Sequence, residues 1–161
     1  MAYQPLAIAN EFVARFGGAT GIDHMKLQKL AYYAHGWWLA YEAEPLLTEK
    51  PEVWKFGPVF DSMYRVLCPF GSKPIRLPQS PNPFAEPPRV DDERALGLIS
   101  WIWNRYGAFS SFKLSDMTHE EGTPWRILAE ENSYNVPKHF EIPDALIADF
   151  FKKEADRLQA A

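Results

Sequence analysis

The stretch that decides the fold runs from Asp23 to Glu42 and reads DHMKLQKLAYYAHGWWLAYE. Asp23 is a good N-cap, and the apolar residues after it recur with the period of an α-helix. At 100° per residue they gather on one face, which we predict to be buried: Leu27, Leu30, Ala31, Ala34, Trp38 and Tyr41. Much of the remaining girth is also apolar or aromatic, so this helix should be covered on several sides and form the centre of the domain. Gly36 costs about 1 kcal/mol relative to Ala at mid-helix, which indicates a close approach by a neighbouring element.

Shorter elements are predicted on both sides of this helix. A first helix should run from about Pro5 to Phe16. After the second helix, Pro45–Thr48 and Pro51–Phe56 are bounded by prolines and predict two short extended pieces in a small β-hairpin. Caps and first-turn residues predict further helices that begin near Pro58, Asp92, Ser110, Thr123 and Pro143. The predicted fold class is mainly α: a compact helical single domain over residues 1–161, with a small β-hairpin after the second helix.

Residues 68–90 differ from the rest of the chain because they hold seven of its fourteen prolines. Proline fixes φ and removes a backbone donor, so no helix can persist here. Structureless segments of this length are uncommon in compact domains and are often functional or mobile. We predict a Pro-rich surface loop at about 68–90, and both a partner-contacting role and simple mobility stay open.

Charge and cysteine content restrict the class of protein. Seventeen Lys and Arg against twenty-one Asp and Glu give a net charge of −4 with no long basic run, which argues against nucleic acid as a partner. With one cysteine, Cys68, no intramolecular disulfide can form, and a reducing compartment fits best. The N-terminal residues show no secretory pattern, and no run of about 18 apolar residues occurs. We therefore expect no membrane partner and a cytoplasmic location.

Residues suited to catalysis or metal binding do not form an established pattern. His119-Glu120 begins like a zinc-protease signature, but Thr123 stands where the second histidine is needed. Cys68 lies in no nucleophile context, and the Gly-x-Ser-x-Gly elbow and the phosphate loop are both missing from the sequence. We expect no catalytic, cofactor-binding or metal-binding residues, and therefore no enzyme. An enzyme that uses His119 and Glu120 near Ser115 stays open as an alternative.

Four sequence blocks, taken in order, resemble the Panacea domain, an antitoxin-associated family. They are Met25–Trp37 (MKLQKLAYYAHGW), Glu44–Leu46, Glu52–Val59 (EVWKFGPV) with Tyr64 following, and Leu114–Glu120 (LSDMTHE) running to Pro124-Trp125. His35 stands where the family more often has Gln, and Phe56 where Tyr is usual. The chain after Tyr134 and the Pro-rich loop match no pattern of the family.

The resemblance implies a protein-binding antitoxin that is encoded beside a toxin gene in a bacterium or phage. In this family the domain is paired with unrelated toxins, and many of them are neutralised by direct contact. The first expectation is therefore an antitoxin that neutralises its cognate toxin by direct protein–protein binding. The alternative is a SocA-like proteolytic adaptor, which delivers the toxin to the ClpXP protease. A hydrolytic enzyme and a DNA-binding autorepressor are further alternatives with weaker support.

Two groups of residues are candidates for the site. The candidate partner-binding residues, as anchors or their supports, are Lys26, Gln28, Lys29, Tyr32, Tyr33, Trp37 and Trp54. For the aromatic members a core role is the competing interpretation, whereas the two lysines and Gln28 are harder to explain as core. The second group belongs to the fold motif or to a possible site: Ser115, Asp116, Thr118, His119, Glu120 and Trp125. Ser115, Asp116 and Thr118 are residue types that cap helix ends, so a structural corner is one interpretation.

Overall fold

A computed structural model describes residues 2–161 of the chain. The elements are α1 (Pro5–Phe16), α2 (His24–Glu42), β1 (Glu52–Trp54), β2 (Gly57–Val59), α3 (Asp61–Leu67), a 3-10 turn (Cys68–Phe70), α4 (Glu93–Tyr106), α5 (Ser111–Thr118), α6 (Pro124–Glu131) and α7 (Asp144–Ala160). The two strands form an antiparallel hairpin directly after the second helix. The predicted mainly α fold with a small hairpin is confirmed. Within the described residues no helix is both long enough and apolar enough to cross a membrane.

Helix α2 lies at the centre of the fold. Helices α1, α4, α5 and α7 and strand β2 all pack against it, and every residue from Leu27 to Leu39 is buried. A helix buried around its whole girth is a core helix, which confirms the prediction. Its N-terminus is capped as expected, since Asp23 accepts a hydrogen bond from the backbone N–H of Lys26 (3.0 Å). Tyr41 departs from the predicted stripe: it lies in the last turn of α2, is exposed, and stacks its ring on that of Trp37.

The close approach predicted at Gly36 is made by α7. A Cβ at this position would collide with the ring of Phe151, which is fully buried in α7. Next to Gly36 in α2, His35 places its Nε2 2.9 Å from Asp144 Oδ1 at the start of α7. This hydrogen bond lowers the pKa of Asp144 below its ordinary value. Close packing and a buried polar contact together fix α7 on α2.

The hairpin uses different residues from those predicted. Its strands pair Glu52 with Val59 and Trp54 with Gly57, so Lys55 and Phe56 form a two-residue turn. The segment Pro45–Thr48, predicted as one strand of the hairpin, instead bonds to Tyr3: the N–H of Tyr3 donates to the Leu46 carbonyl, and the N–H of Thr48 donates to the Tyr3 carbonyl. The prediction was wrong about the partner strand. Its physical cause is a long-range pairing that a local pattern does not reveal.

The Pro-rich segment runs along the surface but is attached at several points. Between residues 71 and 92, all of which the structure describes, the chain forms no helix or strand. Ile75 forms an antiparallel bridge with Ile22 and is fully buried. Further along, the buried side chains of Asn10 and Glu11 in α1 form hydrogen bonds with the segment. The segment is therefore irregular in conformation but tied to the helical core.

Candidate partner-binding site

The hairpin is positioned by contacts with three helices. Strand β2 packs against α2 and α5, and β1 packs against α6. Gly57 has a φ of +114°, which favours glycine directly after the turn. Pro58 has no N–H to donate, and Val53 opposite it directs its own N–H to the carbonyl of Phe140 (2.9 Å). A two-stranded hairpin alone is marginal in water, so the surrounding helices must hold it in place.

Side chains from the other sequence blocks direct hydrogen-bonding groups to four backbone carbonyls of the hairpin. The contacts are Trp125 Nε1 to the carbonyl of Trp54 (2.7 Å), His119 Nε2 to that of Lys55 (3.1 Å), Ser115 Oγ to that of Phe56 (2.7 Å) and Lys29 Nζ to that of Pro58 (3.1 Å). We call this arrangement the carbonyl grip. It joins the second helix, the hairpin and the α5–α6 corner into one structural unit.

Gln28 extends this unit to the residue directly after the hairpin. Its side-chain Oε1 accepts a hydrogen bond from the N–H of Phe60 (2.8 Å), and its Nε2 donates to the carbonyl of the same residue (3.3 Å). The amide of Gln28 thus takes the place of a neighbouring strand. Its Nε2 also lies 3.1 Å from the Nε2 of His24. A buried glutamine is stable here because backbone groups satisfy its polar atoms.

Lys29 is an unusual core residue because its side chain is only 1% exposed. Burial disfavours an ammonium ion, and it lowers the pKa of Lys29 to about 7. Burial also lowers the pKa of His24 to about 4, and the nearby charge of Lys29 adds to this effect. The side chains of Gln28 and Lys29, which were hard to explain as core from the sequence, are core residues that bind backbone of the hairpin region.

The second block forms a corner between α5 and α6. Ser115 Oγ donates to a hairpin carbonyl, and both ring nitrogens of His119 face carbonyl oxygens, those of Ser115 (2.5 Å) and Lys55 (3.1 Å). In the part of the chain that the structure describes, no hydrogen bond joins the Ser115 hydroxyl to the His119 imidazole. A nucleophile and its base need that contact. The geometry therefore supports a structural role for this pair and gives no support to the enzyme alternative.

The remaining members of the second group divide by burial. The hydroxyl of Thr118 donates to the carbonyl of Ser115 (2.7 Å), and the ring of Trp125 lies 3.9 Å from that of His119. Both Thr118 and Trp125 are buried, whereas Asp116 and Glu120 are exposed. The two acidic side chains therefore face solvent beside the corner.

A groove of about 440 Å³ opens beside the hairpin turn. Its floor contains His24, Gln28 and Lys29, and its aromatic walls include Trp54, Phe56 and Tyr64. We call this the hairpin groove. Phe56 is 56% exposed and Tyr64 is partly exposed, and the rings of Trp54 and Tyr64 lie 4.6 Å apart. Of the described residues that line the groove, Lys29 and Lys55 are the basic ones, and none is acidic. Apolar aromatic walls with few charges are typical of the centre of a protein–protein interface.

The other predicted partner-binding residues lie away from this groove. Tyr32, Tyr33 and Trp37 are buried between α2, α4 and α7, where the Trp37 indole donates to the Tyr106 hydroxyl (2.9 Å). Lys26 lies on another side of α2 and donates to the carbonyl of Gly107 (2.6 Å) at the end of α4. In this structure the three aromatic side chains can support a binding surface and expose very little of their own area. Direct contact stays a prediction for Trp54 and Lys26, which are partly exposed.

One group of possible metal ligands was not predicted. Glu52, Asp61 and His139 bring two carboxylates and an imidazole within 4.8 Å of one another. Glu52 accepts a hydrogen bond from the Trp54 indole (2.9 Å) and lies 3.2 Å from His139 Nδ1, and Asp61 forms an ion pair with Arg65. These are ligand types that bind zinc, but each already has a partner within the protein. No sequence spacing reveals this group because His139 lies 87 residues beyond Glu52.

Sequence reasoning also missed Phe56 and Tyr64 as groove residues, although both lie in or beside the recognised blocks. The sequence pattern placed Phe56 in a strand. In a strand, alternate side chains point to opposite faces of the sheet, so the pattern did not indicate that Phe56 lies in a turn. Its position in the turn exposes the ring instead. The absence of an Asn-Gly or Asp-Gly pair left the two-residue turn without its usual sequence signal.

The chain is similar to known proteins over most of its length. The family described as Antitoxin SocA-like, Panacea domain, matches residues 27–126. The curated protein Antitoxin SocA of Caulobacter vibrioides (strain NA1000 / CB15N) is 31% identical over 138 residues, which cover 81% of this chain and 72% of that protein. No solved structure matches the chain. The matched region begins in α2 and ends in α6, so it contains every donor and every acceptor of the carbonyl grip.

Proposed function

The chain belongs to the SocA-like Panacea-domain family of antitoxins, and from that premise we propose that it neutralises a cognate toxin by direct protein–protein binding. The hairpin groove forms part of the binding surface in this proposal. Gln28 and Lys29 support the surface from below, and Trp54 contributes to its wall. Tyr32, Tyr33 and Trp37 keep the supporting helix rigid.

The observation that carries this proposal is an exposed aromatic turn on a rigidly held hairpin. The carbonyl grip fixes the backbone at Trp54, Lys55, Phe56 and Pro58 from the core side. The ring of Phe56 remains more than half exposed beside the groove. Binding loses less conformational entropy when the contact surface is already ordered, and aromatic anchors contribute much of the energy of protein interfaces.

A non-enzymatic mechanism is supported by what the polar residues of the motif do. Ser115, His119 and Lys29 all direct hydrogen-bonding groups to backbone carbonyls of the chain itself. Groups used in this way hold the fold together and are not directed toward a substrate. Neutralisation by stoichiometric contact needs only a shaped surface, which the hairpin groove provides.

The proposal is tested by growth rescue. A host expresses the open reading frame adjacent to the gene for this chain, with and without this protein, in strains with and without ClpXP. We expect rescue in both strains, because direct binding does not need the protease. Rescue that requires ClpXP would replace direct neutralisation with the adaptor mechanism. Toxicity without rescue in either strain would contradict the antitoxin role proposed for this chain.

The contribution of the groove is tested with matched phenylalanine variants. Phe56→Ala should weaken binding to the purified toxin by roughly 30-fold, the effect of losing one interface anchor of about 2 kcal/mol. Phe112→Ala is the control, because Phe112 is exposed but does not line the groove. Its affinity should stay within about threefold of wild type, as for a surface change away from the interface. Equal effects of the two substitutions would remove the groove from the proposal.

A further inference from the structure

The Pro-rich segment presents one phenylalanine almost completely to solvent. Phe84 is 99% exposed and lies in the sequence SPNPFAEP, residues 80–87. A side chain in this position buries no apolar area and contributes nothing to the core. Scattered exposed apolar residues are common on proteins, so exposure alone does not indicate a function. What distinguishes Phe84 is how firmly the chain on both sides of it is held.

Asn10 of α1 connects the two ends of this segment. Its side-chain Nδ2 donates to the carbonyls of Gln79 (2.9 Å) and Pro88 (3.0 Å), and its Oδ1 accepts from the N–H of Gln79 (2.8 Å). Asn10 is 1% exposed, so its amide is removed from water and is satisfied by these loop groups. One buried amide therefore closes residues 80–87 into a loop with fixed ends. We call these residues the clamped loop.

Glu11, the next residue of α1, holds the chain just beyond the clamped loop. Its Oε2 accepts hydrogen bonds from Arg89 Nε (2.6 Å) and from the backbone N–H of Val90 (3.0 Å), and its Oε1 accepts from Arg89 Nη2 (3.1 Å). Its carboxylate is as deeply buried as the Asn10 amide. A buried carboxylate is expensive unless it is paired and hydrogen-bonded. Two consecutive buried polar residues of α1 thus hold this segment against the helix.

The clamped loop is also stiff within itself. Pro81, Pro83 and Pro87 fix their own φ angles and restrict the residues before them. Asn82 forms a turn at the tip, where its Oδ1 accepts from the N–H of Phe84 (2.9 Å) and its carbonyl accepts from the N–H of Ala85 (3.2 Å). The loop holds its backbone in place while its aromatic ring has no neighbour to pack on.

From these contacts we propose that the clamped loop is a preformed contact for the cognate toxin, with Phe84 as the side chain that enters an apolar cleft of the toxin. The inference rests on the proposed function and adds a second binding surface to the hairpin groove. An ordered loop binds with little further loss of entropy, and a central aromatic residue is a frequent interface anchor. Within residues 77–88 the sequence has one charged residue, Glu86. Low charge around an aromatic residue fits the centre of an interface and not its polar rim.

The test compares two exposed apolar residues of the same segment in the full-length protein. The probe is the purified product of the open reading frame adjacent to the gene for this chain, and the dissociation constant is measured by calorimetry. Phe84→Ala should weaken binding by roughly 30-fold or more. Leu77→Ala is the matched control, since Leu77 is 71% exposed but lies outside the clamped loop, and its affinity should stay within about threefold of wild type. Neither substitution should change the thermal unfolding midpoint.

The outcomes distinguish a failure of this inference alone from a failure of the proposed function on which it rests. If wild type binds and Phe84→Ala binds equally well, the clamped loop is not a toxin contact, while the antitoxin proposal stands. If wild type fails to bind the probe, both the proposed function and this inference are overturned. Light scattering after size-exclusion chromatography tests whether Phe84 instead contacts a second copy of this chain. A wild-type dimer that Phe84→Ala converts to a monomer would assign the ring to self-association and overturn the inference.

Discussion

We expect the protein to become more stable as the pH rises above 7, and we expect Lys29→Met to remove most of this gain. The cause is the burial of Lys29, which lowers its pKa to about 7 in the folded chain. In the unfolded chain the same amine is exposed and has a pKa of about 10.4. Between these two values the unfolded state binds more protons than the folded state, so the free energy of unfolding increases with pH.

The size of the effect follows from the two pKa values. One pH unit corresponds to about 1.4 kcal/mol when the two states differ by a full proton. Lys29 is half protonated in the folded state near pH 7, so the slope there is about half of this and approaches the full value by pH 8. The gain between pH 7 and pH 9 is therefore about 2 kcal/mol. It is lost again as the pH falls toward 7.

Urea unfolding of wild type and Lys29→Met at pH 7, 8 and 9 measures this gain. Methionine fills a similar volume but does not titrate, and the carbonyl of Pro58 loses its donor at a cost of about 1–3 kcal/mol at every pH. The difference between the two pH slopes isolates the amine, and Lys152→Met on the exposed face of α7 is the control. Parallel slopes for wild type and Lys29→Met would refute the argument that burial depresses this pKa.

Four further substitutions test the packing and the hydrogen bonds. Gly36→Ala should destabilise the protein by about 1–3 kcal/mol in urea unfolding because the new Cβ collides with α7, whereas Gly97→Ala, with open space at its Cβ, should stabilise it by about 0.4–1 kcal/mol. Asn10→Ala should speed hydrogen exchange at the Gln79 amide, and unchanged exchange would disprove the clamp. Ser115→Ala should lower the free energy of unfolding by about 1–3 kcal/mol, because a hairpin carbonyl loses its donor; a neutral result would contradict the grip.

Local sequence patterns were sufficient to predict the central helix. The continuous apolar and aromatic girth of Leu27–Leu39 and the isolated Gly36 both reflect burial by neighbours, and burial is a property that side-chain type reports well. The existence of the hairpin was predicted for a similar reason, since Val53 and Trp54 favour extended structure between prolines.

Contacts between distant parts of the chain could not be predicted in the same way. The roles of Gln28 and Lys29 depend on backbone groups that lie 32 and 29 residues away. Asn10 lies 69 residues before the loop amide that it binds, and in α1 it has the pattern of an ordinary helix residue. A polar side chain in a sequence does not reveal which carbonyl it will meet, because that depends on the packing of whole elements.

The carbonyl grip also bears on how this surface can change during evolution. Its donors bind main-chain oxygens, which every amino acid possesses, so the attachment is indifferent to the side chains that the hairpin turn carries. Lys55 and Phe56 can therefore be replaced while the hairpin keeps the hydrogen bonds of the carbonyl grip. A library randomised at these two positions should yield folded variants at high frequency. Under the proposed function, such an attachment allows the contact residues of the turn to change without loss of the fold.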